Sequence, residues 1–274
     1  MKDRIIVVTG AAGGFGRKIV HQFKEDSTVI ACVRKEEDIN SLYKAGAAAV
    51  YRMDVTVKED RCTVMKKIAE KYRKIDILIN NAGMCQGGVQ EALDDTDWDH
   101  QFNVNVTGTA SVTRLALPML KKSSAAKIIQ MGSVSGRIGL PGVGAYAASK
   151  FALRGMSQSL RFELLPLSIH VTLLEIASFK TAIWDKSRDT ASYYDGQDYK
   201  ELETYLKEKV EHTSIKAADP EAVIKMIVRI SEMKKPAFLY RVGAGAGIYA
   251  LIDKWMPMRI LEKIVVNKTG GKSG

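Results

Sequence analysis

A β-branched apolar run, Arg4 to Thr9, passes without a spacer into Thr9-Gly10-Ala11-Ala12-Gly13-Gly14-Phe15-Gly16 and then into a helical pattern from Arg17 to Glu25. A strand apolar at successive positions is buried on both faces, which belongs to a parallel sheet covered by helices. The rhythm continues with strand Thr28 to Val33, helix near Glu36 to Ala45, strand Ala48 to Met53, helix Lys58 to Arg73 and strand Asp76 to Asn80. Helix Thr96 to Lys122, strand Lys127 to Gly132, helix Gly144 to Leu165 and strand Ile169 to Leu174 follow. Such alternation predicts an α/β fold, doubly wound around a parallel sheet.

Ligands of such sheets collect at the carboxyl ends of the strands. The glycine turn lets backbone N–H groups approach a pyrophosphate at the N-terminus of the first helix. The second strand ends in Val33-Arg34-Lys35, where an acidic residue would take ribose hydroxyls and arginine a 2′-phosphate. Arg34 therefore favours NADP(H), with NAD(H) left open. Asp54, after the third strand, is placed either to accept from an adenine amino group or to cap the next helix. Small residues in Asn80-Asn81-Ala82-Gly83 allow a cofactor close to the backbone, and the asparagines can tie strand ends together.

The densest chemistry lies in Ser133-Val-Ser-Gly-Arg-Ile-Gly-Leu-Pro-Gly-Val-Gly-Ala-Tyr146-Ala-Ala-Ser-Lys150. Tyr146 and Lys150, four apart, share a helix face. A cation roughly 5 Å from a phenol, at an effective dielectric near 20, favours the phenolate by about 3 kcal/mol, or roughly two pKa units. Tyr146 is therefore expected to exchange a proton with an alcohol or carbonyl held by Ser133. Ser192, Tyr205 and Lys209 repeat the spacing, but no strand precedes them. They read as coincidence on a solvated helix face.

The 274 residues carry 41 basic and 31 acidic side chains, a formal charge of +10 spread along the chain. That surplus suits an anionic cofactor or a membrane surface and points to no nucleic-acid partner. Cys32, Cys62 and Cys85 lack metal-ligand spacing and read as reduced thiols of a cytoplasmic protein. No metal site is expected. No signal peptide is visible and no apolar run spans a bilayer. Glu175 to Lys216 is polar and long, as lids and substrate loops are. Asp219 and Pro220 start another helix, and Ala237 to Tyr240 makes a last strand. Ile248 to Val266 is amphipathic, with Trp255 among lysines and arginines, and suits packing on the substrate side, a partner subunit or a membrane surface.

Together, Thr9-Gly10, Gly14, Gly16, Asp54, Asn80 to Gly83, Asn105, Ser133, Tyr146 and Lys150 resemble the pattern of the short-chain dehydrogenase/reductase superfamily over nearly all of Arg4 to Tyr240. The resemblance implies a Rossmann-like, seven-stranded parallel sheet in a domain of residues 1–242, with a substrate loop near 175–218 and a C-terminal extension over 243–274. It also implies a catalytic tetrad. Tyr146 is the acid/base, Ser133 orients the substrate oxygen, Lys150 also holds the nicotinamide ribose, and Asn105 positions a relay water. The cofactor residues it implies are Thr9, Gly10, Gly14, Phe15, Gly16, Arg34, Asp54, Val55, Asn81, Ala82, Gly83, Tyr146, Lys150 and Thr181. A homodimer or homotetramer built on the two long helices is expected.

One departure stands out. Where the family has Pro-Gly after the sixth strand, this chain has Glu175-Ile176-Ala177-Ser178-Phe179-Lys180-Thr181. Phe15 and the Phe-Lys-Thr ending resemble the branch that handles retinoids and steroids, and Met84, Cys85, Ile138, Leu140, Val143, Phe179 and Trp184 are candidate walls for a bulky apolar substrate. The expected activity is NADP(H)-dependent interconversion of a secondary alcohol and its ketone or aldehyde. The alternative is a dinucleotide-binding sensor or regulator with little catalysis.

Overall fold

The computed structural model describes residues 4–177, 179, 187, 191–194, 196–216 and 219–269. Seven parallel strands form one sheet: β1 (Arg4–Val8), β2 (Ser27–Val33), β3 (Ala49–Arg52), β4 (Ile77–Asn80), β5 (Lys127–Met131), β6 (His170–Ile176) and β7 (Leu239–Val242). Their spatial order is β3-β2-β1-β4-β5-β6-β7, and every neighbouring pair is parallel. The order reverses between β1 and β4, which opens a crevice above their carboxyl ends.

Alternate residues of each strand feed two separate cores. Ile6 and Val8 join Val29, Ile77 and Ile129 on the face covered by α1 (Gly14–Phe23) and α8 (Glu221–Glu232). Ile5 and Val7 join Ile30, Leu78 and Ile128 on the face covered by α3 (Lys58–Tyr72), α5 (Thr109–Leu120) and α6 (Gly144–Leu164). Burial on both faces explains why the strands carry no polar alternation. The short α2 (Ile39–Lys44) links β2 to β3.

The single helix expected over Thr96 to Lys122 is interrupted. It runs as α4 (Asp95–Phe102), a π-helical turn (Asn103–Gly108) and α5. Asp94 caps α4 by accepting the Asp97 N–H at 2.9 Å. Asp219 does cap α8, accepting the Glu221 N–H at 2.9 Å.

Three further expectations need correction. The loop placed near 175–218 begins too early, because Glu175 and Ile176 complete β6 and the Ala177 N–H still pairs with the Val242 carbonyl at 2.9 Å. Its second half is α7 (Lys200–Lys216). The last strand lies two residues beyond the expected Ala237 to Tyr240. The C-terminal amphipathic segment is two helices, α9 (Ala246–Trp255) and α10 (Met258–Lys268), because Pro257 cannot continue the ladder.

Candidate active site

A cavity of about 940 Å³ runs along the carboxyl edge of the sheet. Backbone geometry builds its floor. Gly10 sits at φ +60°, and a Cβ there would lie 2.7 Å from the Ala82 Cα. Thr9 is buried below it, and its hydroxyl accepts the N–H groups of Asn81 and Ala82 at 3.1 and 3.0 Å. The Asn81 amide donates back to the carbonyls of Thr9 and Gly10 at 3.1 and 2.9 Å. The ends of β1 and β4 are thereby stitched together.

Gly10, Gly14, Phe15, Asn81, Ala82 and Gly83 border the cavity. Thr9 and Gly16 do not: a Cβ on Gly16 would lie 2.6 Å from the Ala11 Cα, so this glycine serves the seating of α1. The first turn of α1 has no acidic residue, and Gly13 provides no side-chain cap, which leaves its amides and positive dipole end available to an anion. Gly83 gives depth, since a Cβ there would project to within 3.5 Å of Asn105 Oδ1 and 3.8 Å of Lys150 Nζ.

Arg34, Asp54 and Val55 border the far end. Arg34 is exposed and makes no hydrogen bond or ion pair among the described residues, whereas neighbouring Lys35 is held by Glu37 at 2.9 Å. Asp54 does not cap α3. Its Oδ1 accepts the Thr56 N–H and hydroxyl at 2.8 and 2.7 Å. Burial alone would raise this carboxyl, but the two Thr56 bonds, with Arg34 and His100 nearby, leave it below its ordinary value.

At the other end stand Ser133, Tyr146 and Lys150. The Ser133 hydroxyl stands beside the Tyr146 phenol and favours its ionised form. Ser133 Oγ also accepts the Ser135 N–H at 3.1 Å, which fixes its rotamer at the end of β5. Lys150 Nζ donates to the Met131 carbonyl at 2.8 Å and lies 5.6 Å from the Tyr146 ring centroid. The electrostatic expectation fails in direction. Both groups are buried, and loss of water disfavours the charged form of each. Burial, with Cys85 nearby, pushes the Tyr146 phenol up despite the Ser133 hydroxyl beside it, and burial brings Lys150 down to about 8.

Asn105 does not border the cavity. Its Oδ1 accepts the Met84 N–H at 2.9 Å, and its Nδ2 donates to the Met84 carbonyl and to Ser149 Oγ, each at 3.0 Å. Its side-chain amide therefore ties the Met84 backbone to Ser149. Gln101, one turn earlier, does the same for the next residues: it accepts the Gln86 N–H at 2.7 Å and donates to the Met84 carbonyl at 3.1 Å. Sequence reading passed over Gln101, although an amide four residues before Asn105 was a readable signal. The π-helical turn belongs to the same clamp, as such turns often do at functional sites.

Met84, Cys85, Ile138, Leu140, Val143 and Phe179 border the cavity as expected. Phe179 packs edge-on to Phe15 with ring centroids 6.2 Å apart. Trp184 and Thr181 lie outside the described residues. Leu206 of α7 and Tyr249 of α9 also line the cavity. Neither was foreseen, because the contacts come from segments distant in sequence. Tyr205 lies on α7 and does not border the cavity.

Residues 4–192 match the model of the family described as short chain dehydrogenase. The uncharacterized oxidoreductase YusZ of Bacillus subtilis is 34% identical, over 98% of this chain and 99% of its own. The 3-ketodihydrosphingosine reductase of Bacteroides thetaiotaomicron is 28% identical, over 96% of each chain. The crystal structure of a short-chain dehydrogenase from Streptomyces avermitilis is 25% identical and superposes with a TM-score of 0.77, covering 95% of this chain and 97% of that one. The chain belongs to the short chain dehydrogenase family and is an NAD(P)-dependent oxidoreductase acting on CH–OH groups and the corresponding carbonyls.

Proposed function

We propose that the enzyme uses NADP(H) and reduces bulky apolar ketones or aldehydes to alcohols, with Ser133, Tyr146 and Lys150 carrying the proton chemistry. The observation that carries this reading is the buried Tyr146 phenol, which borders one cavity together with Ser133, Lys150 and an apolar wall. The bound nicotinamide supplies the hydride that goes to the carbonyl carbon. Ser133 and Tyr146 donate to the carbonyl oxygen, and the Tyr146 proton passes to it as the C=O bond becomes CH–OH. The resulting phenolate is stabilised by the Lys150 ammonium. Asn105 and Gln101 hold residues 84–86 in position, and Asn81 and Gly83 leave room for the cofactor beside them.

Because Tyr146 keeps its proton well above neutrality, it is set to donate rather than to accept. The pH dependence follows from Lys150. Below about 8 its ammonium is present, and above that value the charge that stabilises the phenolate is lost. The carbonyl reduction rate is therefore expected to be level between about pH 6 and 8 and to fall by up to tenfold per unit above. A steady-state pH profile of kcat checks this; a rate that rises through pH 9 contradicts it.

Arg34 supports the choice of NADP(H), since a free guanidinium stands where an acidic residue would repel a 2′-phosphate. Arg34→Ala is expected to weaken NADPH binding by roughly 10- to 100-fold, the worth of one or two charge-assisted hydrogen bonds, and to leave NADH binding unchanged. Titration of both cofactors against both proteins is the check. Equal NADPH affinity in the two proteins contradicts the assignment.

Phe151 and Phe162 are exposed on one face of α6, three helical turns apart. They support a homodimer or homotetramer assembled through the long helices. Free Cys32, Cys62 and Cys85 support residence in the reducing cytoplasm.

A further inference from the structure

Both C-terminal helices expose large apolar side chains. On α9, Ala246, Tyr249 and Asp253 turn inward: Ala246 is buried, Tyr249 lines the cavity, and Asp253 accepts from Arg137 Nη1 at 3.0 Å. Arg137 lies four residues beyond Ser133, so this ion pair fixes α9 against the active-site loop. Ile248, Leu251 and Trp255, spaced three and four residues apart, occupy the opposite face. They are 62%, 61% and 72% exposed, and Met258, Ile260 and Ile264 of α10 continue the exposed surface. A helix that seats itself through small and polar residues and displays its large apolar ones is the reverse of an ordinary surface helix.

We propose that α9 and α10 rest on an anionic phospholipid surface, with Leu251 and Trp255 among the acyl chains and the lysines and arginine at the headgroups. Charge decides against a second copy of the chain as the occupant. Lys254, Arg259, Lys263 and Lys268 stand against Glu262 alone, since Asp253 is engaged by Arg137. A twofold interface would press this net-positive patch against an identical net-positive patch, whereas an anionic bilayer attracts all four cations. Among the described residues no helix is long and apolar enough to cross a membrane, so the contact is interfacial. Tyr249 on the inner face of the same helix borders the cavity, which places the cavity directly behind the lipid-facing helix.

The test is co-sedimentation of the full chain with vesicles of phosphatidylcholine alone and with about 30% phosphatidylserine. The wild type is expected to partition onto the anionic vesicles at least about tenfold more strongly than onto neutral ones, and high salt should reduce that preference. Leu251→Glu should weaken binding at least about tenfold while leaving the melting temperature and the reduction of a small water-soluble ketone unchanged. Lys254→Gln combined with Lys263→Gln should remove the preference for anionic lipid without touching the apolar face. The proposal is overturned if the wild type stays in the supernatant, or if both variants bind as it does. A fall in native mass caused by Leu251→Glu in the absence of lipid would also overturn it, by making a second copy the occupant.

Discussion

Tyr146→Phe is expected to lower the rate of carbonyl reduction by about 10³-fold, inside the range of 10² to 10⁴ that a positioned proton donor contributes, and to leave NADPH affinity within about twofold of the wild type. The ring is buried and keeps its packing in the variant, so the change removes one hydroxyl. Single-turnover reduction over a range of NADPH concentrations separates the two effects, since the limiting rate reads the chemistry and the half-saturating concentration reads binding. Tyr205→Phe is the control: it alters the other Tyr-x-x-x-Lys spacing and should change neither quantity. A Tyr146→Phe enzyme within tenfold of wild-type rate would remove Tyr146 from the chemistry.

Glu175→Leu is expected to cost about 3 kcal/mol of stability, at the lower end of the range for breaking a buried ion pair from one side. The carboxylate is 1% exposed and sits among three guanidiniums. Arg137 Nε lies 2.7 Å from both of its oxygens, Arg241 Nε 3.3 Å from one and Arg154 Nε 3.8 Å from the other. Arg154 and Arg241 are partly exposed, so water compensates them when the carboxylate goes. The buried Arg137 is left with Asp253 alone. For a chain of this size the loss corresponds to a fall in Tm of roughly 6 to 12 °C. Thermal unfolding of the variant measures it, and adding Arg137→Leu should recover part of the loss. A shift below about 2 °C would mean that Glu175 contributes little.

At Glu175 the local sequence underdetermines the backbone. In place of Pro-Gly, Glu175-Ile176-Ala177 leaves the local backbone undecided on paper. The structure settles it by letting β6 run on, with Ala177 still paired to Val242. The reason lies in Arg137, Arg154 and Arg241, which converge on the carboxylate from three other elements. No local pattern announces such a convergence.

The strands were readable because burial on both faces leaves a signature in each strand itself, as in Ile5 to Val8. Ser133, Tyr146 and Lys150 were readable for a related reason. Their spacing along one strand end and one helix turn is nearly their spacing in the cavity. The π-helical turn at Asn105 was not readable, because its extra residue is imposed by bonds to Met84 and Ser149 across the fold. The acidity of Tyr146 was misjudged because it depends on burial, and the nearby ammonium counts for less than the lost water. The break between α9 and α10 could have been read from Pro257. The helix α7 could not: its charged and apolar residues are mixed around the axis, and its place is set by Leu206 against Gly142.

A crystal structure of the enzyme with NADPH is the most direct test. The expected result places the pyrophosphate at the N-terminus of α1, the 2′-phosphate within hydrogen-bond reach of Arg34, and the nicotinamide ribose within about 2.6–3.2 Å of Tyr146 or Lys150. The ring then faces the space between Ser133 and the apolar wall. A nicotinamide bound away from Ser133 and Tyr146 would contradict the catalytic assignment, and a 2′-phosphate turned away from Arg34 would contradict the choice of cofactor.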